Sequence, residues 1–292
     1  MNNVGEVLND VDLKNYTSLK IGGHAKYLVK PRNIGELQNL LEYIHENNMK
    51  YLVLGNGTNV ILDDSDFNGI IIKLDYFKDI VFCENEVTVG SGVSLAFLSK
   101  TTLNNGFVSL GFASMIPGNV GGSVVGNAGC YGHEIMEFVK SVEVMDKNGE
   151  IFVIDRKDIS YGYRYTSLKD KYIVLNVVFT LSKGDVNAAY EEIIQNNAKR
   201  METQPLNYHN VGSVFRNPEN ASAGKMIDDL KLKGYTIGGA KVSDKHANFI
   251  INNDNASFKD FVDLINHVKK EVKDAYQIDL VVEPSIIKWD KL

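Results

Sequence analysis

Two glycine-rich stretches are the places where backbone could grip a ligand. The first is Leu54-Gly55-Asn56-Gly57-Thr58-Asn59-Val60. The second is Ile116-Pro117-Gly118-Asn119-Val120-Gly121-Gly122-Ser123, which runs on to Asn127-Ala128-Gly129-Cys130-Tyr131-Gly132. Gly55-Asn56-Gly57 follows a β run, as a phosphate-binding turn would, and peptide N–H groups exposed by a tight turn make an anion-binding concavity. It is no dinucleotide fingerprint, because Val60 stands where the third glycine belongs and the chain continues into strand. A nest and an ordinary Gly-Asn-Gly turn both fit this segment. In the second stretch, repeated glycines cost conformational entropy and are tolerated where a Cβ would collide with close-packed chain or with a ligand.

Side-chain chemistry is sparser. The six histidines do not pair at ligand spacing, and Met49 replaces the second histidine that His45-Glu46 would need for a zincin site. There is no Gly-x-Ser-x-Gly elbow. Ala223-Gly224-Lys225-Met226 fails as a P-loop, with Glu219 in place of the first glycine and Met226 in place of the Mg²⁺-binding hydroxyl. Metal, hydrolase-triad and P-loop chemistry are thereby excluded. Ser213, in Gly212-Ser213-Val214-Phe215-Arg216-Asn217-Pro218, is on its own a turn residue, and His246 on its own is a structural histidine.

The elements that must position these residues are mixed. A strand is predicted over 17–29, then a helix over 33–48 on the stripe Ile34, Leu37, Leu40, Leu41 and Ile44. Short strands at 51–54, 60–62 and 70–74 complete a βαβ-type unit. Strands from 80 to 89, a helix over 93–104, and a hairpin across Lys147-Asn148-Gly149-Glu150 follow. A strand over 172–181 and a helix over 185–201 lead to Thr203-Gln204-Pro205, where proline stops the helix. The remainder predicts a helix at 223–230, strands at 235–242 and 249–251, a long helix over 258–276 and a last strand over 280–287. The order argues for an α+β protein. Its domains are read as 1–187, in two lobes of about 1–75 and 76–187, and 200–292, with the last strand a candidate to return to the first lobe.

The chain has 292 residues, 44% hydrophobic and 23% charged, with a net charge of −6. That suffices for about two domains and excludes global disorder. The mild acidity argues against nucleic acid as a partner. Two cysteines cannot build a disulfide framework, the N-terminus lacks signal-peptide character, and no apolar run is long enough to span a bilayer. The expectation is a cytoplasmic protein without membrane insertion.

Taken together and in order, the segments resemble the UDP-N-acetylenolpyruvoylglucosamine reductase family over nearly the whole chain. They are 17–23, 54–60, 116–132, Tyr161-Gly162-Tyr163-Arg164, Gln204-Pro205, 212–218, 223–225 and 233–252. Each motif is weak alone; the ordered set is specific. The resemblance implies an FAD-binding module of the vanillyl-alcohol-oxidase (PCMH) type with a C-terminal α+β substrate domain. It implies non-covalent FAD, NADPH as hydride donor, and reduction of a nucleotide-sugar enolpyruvyl ether to UDP-N-acetylmuramate in peptidoglycan precursor synthesis. The short 164–213 interval resembles the family's shorter branch. By the same resemblance Gly55, Asn56, Gly57, Thr58, Asn59, Ile116, Pro117, Gly118, Gly122 and Ser123 hold FAD. Arg164 stabilises the enolate, Ser213 donates the proton to C2, and Tyr131, Asn217 and His246 contact substrate. Two positions depart from the family pattern. Thr203 stands where a lysine often precedes Gln-Pro, with Lys199 or Arg200 as compensating cations. Ser285 stands where the catalytic glutamate is expected, leaving Glu283 as the candidate acid. Rival readings are a flavin oxidase on the same module and a flavin- or nucleotide-sugar-binding paralogue of low turnover.

Overall fold

The computed structural model describes residues 2–292. In chain order the elements begin with β1 (Glu6–Asp12) and β2 (His24–Lys30), then α1 (Ile34–Glu46), β3 (Tyr51–Val53), β4 (Val60–Leu62) and β5 (Phe67–Ile72). Next are β6 (Ile80–Cys83), β7 (Glu86–Gly90), α2 (Leu95–Asn104), α3 (Val120–Val125), β8 (Gly129–Cys130) and β9 (His133–Glu134). Strands β10 (Val139–Met145), β11 (Ile151–Asp155), β12 (Tyr161–Gly162), β13 (Tyr165–Thr166) and β14 (Ile173–Thr180) precede α4 (Val186–Thr203). The rest is β15 (His209–Asn210), α5 (Ala223–Asp229), β16 (Thr236–Ile237), β17 (Ala240–Val242), β18 (Ile250–Asn252), α6 (Phe258–Tyr276) and β19 (Ser285–Ile287).

Contacts divide the chain into two compact units, neither continuous in sequence. One takes Met1–Asn9, Tyr27–Asn56 and Asn68–Asn197; the other takes Asp10–Lys26, Gly57–Phe67 and Ala198–Leu292. In the first unit α1 is capped by Asn33, whose side chain accepts from Glu36 N at 2.9 Å, and of the predicted stripe it buries Leu37, Leu40, Leu41 and Ile44, with Ile34 half-buried. That stripe packs with Val29, Ile70 and Ile72 into one core, over a sheet ordered β1-β2-β5-β3 in which β3 and β5 run parallel. A second sheet, β11-β10-β14-β7-β6, is antiparallel throughout and has its own core around Leu98, Val124, Val142 and Phe179. The predicted hairpin is β10–β11, closed by Asp146 accepting from Asn148 N and Glu150 N, with Gly149 at φ +83°.

In the second unit the sheet β15-β18-β17-β16 packs on α6. This helix has the span that periodicity predicts. Ser257 and Asp260 form its capping box, and Phe261, Leu264, Ile265, Val268 and Val272 face the core. Gly238 and Gly239 turn between β16 and β17, and a Cβ on Gly238 would sit 2.1 Å from the Asp260 carboxylate. Close packing requires that glycine. Strand β19 pairs in parallel with β4, Ser285 opposite Val60.

Two expectations are corrected. Residues 17–23 are not strand, because Lys20 at φ +58° and Gly22 at φ +143° turn the chain, and Thr17 Oγ1 donates to Ile21 O at 3.0 Å. The predicted last strand reduces to β19 and an isolated bridge at Val282, since Pro284 has no N–H to give a ladder. The second glycine stretch contains the short helix α3, in spite of Gly121 and Gly122. Among the described residues, no helix is long and apolar enough to cross a membrane.

Candidate active site

In the first unit, Gly55 and Asn56 leave β3 in an extended turn held from behind by a buried cation. Lys73 Nζ donates to Gly55 O at 2.7 Å and lies 3.4 Å from Asp75. Burial lowers the Lys73 pKa, and Asp75 opposes that shift. Gly55 C=O and Asn56 N–H belong to one trans peptide and point opposite ways. The lysine therefore turns the Asn56 N–H outward, where it makes no hydrogen bond among the described residues.

Residues 116–123 are pinned to 91–95 by backbone bonds: Leu95 N to Gly118 O, Val120 N to Val93 O and Gly121 N to Ser91 O. Asn119 Nδ2 adds a bond to Gly92 O at 2.8 Å. Asn119 Oδ1 is buried without a partner, and a Cβ on Gly55 would come within 3.2 Å of it. The glycines differ in cause. Gly121 is forced by Ser91, since a Cβ on Gly121 would lie 2.8 Å from the Ser91 Cβ, whereas a Cβ on Gly122 would meet nothing within 4 Å.

Arg164 occupies the two-residue turn of the β12–β13 hairpin at φ +58°, a region arginine rarely adopts. Its guanidinium donates to Gly129 O at 2.7 Å and Asn127 O at 3.4 Å, lies over the Tyr163 ring, and stands 4.0 Å from Glu134 Oε1. Glu134 Oε2 in turn accepts from Asn127 Nδ2 at 2.7 Å. Asn127 is fully buried and also bonds Gly162 O and Met136 N. Sequence reading placed Asn127 within a motif but gave neither it nor Glu134 a role; only the fold brings 127–137 against 162–164. Tyr131 and Gly132 close the β8–β9 hairpin, both at positive φ as in a type I′ turn, and Tyr131 Oη donates to Asn196 O.

In the second unit, Ser213 follows Gly212, which needs its φ of +79° although a Cβ there would touch nothing. Phe215 bridges Val282 antiparallel, with Glu283 N donating to Val214 O and Arg216 N to Val281 O. Ser213 is half-buried, and its hydroxyl makes no hydrogen bond among the described residues. The same bridge sets Val214 opposite Glu283. Asn217 Oδ1 accepts from Ala223 N at 3.1 Å, serving the start of α5. His246 Nδ1 accepts from Asn248 N at 3.2 Å, which assigns the proton of the neutral ring to Nε2. Burial lowers its pKa, reinforced by Lys233.

Gly57, Thr58 and Asn59 also fall in the second unit. A Cβ on Gly57, at φ +63°, would lie 2.1 Å from Tyr16 O, so packing explains that glycine without a ligand. Asn59 O accepts from Ser285 N at 3.0 Å. Near the departure at 203, Thr203 Oγ1 donates to Lys199 O, and Arg200 Nε donates to Gln204 Oε1 at 2.9 Å.

Residues 204–287 match the model of the UDP-N-acetylenolpyruvoylglucosamine reductase C-terminal domain, and 25–155 match an FAD binding domain. The chain is 37% identical to the UDP-N-acetylenolpyruvoylglucosamine reductase of Caldanaerobacter subterraneus subsp. tengcongensis over 97% of this chain and 94% of that protein. It belongs to that reductase family. The corresponding protein of Clostridium novyi is 39% identical over 97% of this chain and 92% of its own length. The crystal structure of the Thermus caldophilus reductase matches at a TM-score of 0.82 and 29% identity, covering 97% of this chain and 98% of that one.

This reductase is an FAD-dependent oxidoreductase of peptidoglycan precursor synthesis with the expected α+β fold. The first unit suits FAD on its own evidence. Gly122 sits in a helix, where glycine costs about 1 kcal/mol relative to alanine, and among the described residues nothing beyond its own chain neighbours and helix backbone would meet a Cβ there within 4 Å. The buried, unpartnered Asn119 Oδ1 and the outward Asn56 N–H offer an acceptor and a donor to a group outside the chain.

Proposed function

We propose that this reductase converts the enolpyruvyl ether of UDP-N-acetylglucosamine to UDP-N-acetylmuramate with NADPH, using Arg164 and Ser213. The observation that carries this reading is Ser213: a hydroxyl on a backbone pinned at 212 and 214, with no partner of its own among the described residues. Bound FAD, held by Gly55, Asn56, Gly57, Thr58, Asn59, Ile116, Pro117, Gly118, Gly122 and Ser123, supplies the two-electron relay from nicotinamide to substrate. Hydride addition at C3 of the enolpyruvyl group leaves negative charge spread from C2 into the substrate carboxylate. Arg164 stabilises that charge, its fork preset by the Gly129 and Asn127 carbonyls. Ser213 then protonates C2 as general acid.

Tyr131, Asn217 and the Nε2–H of His246 are the proposed substrate contacts. Glu283, whose amide supports Val214 O, is the proposed auxiliary acid to Ser213. NADPH and nucleotide sugars are cytoplasmic metabolites, which supports that location; the net charge of −6 supports a small-molecule partner over nucleic acid. Thr203 and Ser285 favour one second reading, a paralogue of low turnover.

Anaerobic stopped-flow spectroscopy tests these readings. NADPH should bleach the bound flavin, the enolpyruvyl substrate should restore it in many-fold preference to O₂, and heat should release free FAD. Reoxidation by O₂ alone at full rate means an oxidase; no reoxidation by the substrate means the low-turnover paralogue.

A further inference from the structure

Asn248 is 4% exposed, and every polar atom of its side chain is directed at one neighbour. Its Nδ2 donates to Phe215 O at 2.8 Å and its Oδ1 accepts from Phe215 N at 3.0 Å. Its own carbonyl accepts from Val214 N at 2.8 Å. The amide thus acts as a strand-like partner for a segment whose other side makes a single bridge, Phe215 to Val282, flanked by the bond from Glu283 N to Val214 O. Upstream, Asn210 Oδ1 accepts from Gly212 N at 2.9 Å. Ser213 is the one residue between these holds whose side chain bonds to nothing in the described chain.

We infer that Asn248 is a positioning residue that acts through Ser213: its side-chain amide fixes the Val214–Phe215 backbone and so sets where the Ser213 hydroxyl stands. The chemistry requires this residue type. Phe215 presents a buried donor and a buried acceptor together, and a side-chain amide satisfies both at once. Aspartate of the same shape keeps the acceptor but sets an oxygen against Phe215 O, while alanine strands both groups. A hydroxyl with no bond of its own has only its backbone to aim it, so a displacement near 1 Å costs roughly 10²-fold in the step it serves. The inference rests on the proton-donor reading of Ser213.

The test is a double-mutant cycle on the flavin-loaded enzyme, following both half-reactions. Asn248→Ala should leave NADPH reduction of the flavin within about twofold and slow reoxidation by the enolpyruvyl substrate roughly 10²-fold. In a Ser213→Ala background the same change should slow reoxidation no further, because the group it positions is gone. Asn248→Asp, which conserves volume, should behave likewise and serves if the alanine variant does not fold. Equal slowing of both half-reactions, loss of flavin in both variants, or additive slowing in the Ser213→Ala background overturns the assignment and leaves Asn248 a core residue. If Ser213→Ala alone leaves reoxidation unchanged, the reading of Ser213 itself fails, an outcome distinct from those three.

Discussion

Arg164 and Ser213 are held in opposite ways. The arginine is fixed through its functional atoms: two carbonyls, an aromatic face and a carboxylate surround the guanidinium. The serine is fixed through its neighbours' backbone, and its functional atom is left uncommitted in the described chain. The difference fits what each group does in the proposed mechanism. A cation that stabilises charge needs a preset direction, because turning a dipole during the reaction costs energy. A proton donor must exchange its partner, so a strong resident hydrogen bond would compete with substrate. Fixing the arginine this way also ties folding interactions to it, whereas the serine can be changed with little effect on the fold.

Ser213→Ala should give the largest effect and break the comparison most directly. Substrate-dependent reoxidation should fall by roughly 10²–10⁴-fold while NADPH reduction and thermal stability stay unchanged. A fall in melting temperature would show that the hydroxyl has a structural partner after all. Arg164→Met should slow the same half-reaction by about 10²–10³-fold, and it should also destabilise the protein, by about 1–3 kcal/mol, through the stranded Asn127 and Gly129 carbonyls and the Glu134 carboxylate. Denaturant unfolding of the two variants side by side measures this asymmetry; equal stability would erase it. Arg164→Lys should recover only part of the rate, since an ammonium lacks the fork.

Gly122→Ala sharpens the picture on the cofactor side through opposite signs. The flavin-free protein should gain up to about 1 kcal/mol from helix propensity in α3. FAD affinity should fall by roughly 5- to 150-fold if a Cβ crowds the cofactor by about 1–3 kcal/mol. Titration of apoprotein with FAD and melting of the apoprotein read the two effects separately; an unchanged affinity would remove Gly122 from the site. The smallest effect belongs to Glu283→Gln, expected to slow reoxidation by less than about tenfold. A loss near 10²-fold would make Glu283 the principal acid, and no loss would remove it from the site.

The regular elements were legible wherever local signals agreed. Phe258–Tyr276 carries a capping box and an unbroken apolar stripe, and Lys147-Asn148-Gly149-Glu150 carries its own turn chemistry, so neither depends on distant contacts. Residues 17–23 misled because their apolar content reads as strand while positive φ at Lys20 and Gly22 imposes a turn. Ordered motifs were enough to indicate the family, and that resemblance, rather than residue type, nominated Arg164 and Ser213.

Glycine, by contrast, is one letter with several causes. Gly57 and Gly121 answer to Tyr16 and Ser91, Gly212 to its own backbone angle, and Gly122 to nothing that packs against it among the described residues. Composition cannot separate these, because each cause is a distance or a dihedral set by residues far away in sequence. The roles of Asn127 and Asn248 were hidden for the same reason. An asparagine's partners are backbone groups, which every residue carries, so no sequence pattern reveals which ones the fold will bring within hydrogen-bonding reach. Sequence determined which groups could do the chemistry; tertiary structure decided what holds each one and which atoms are left to act.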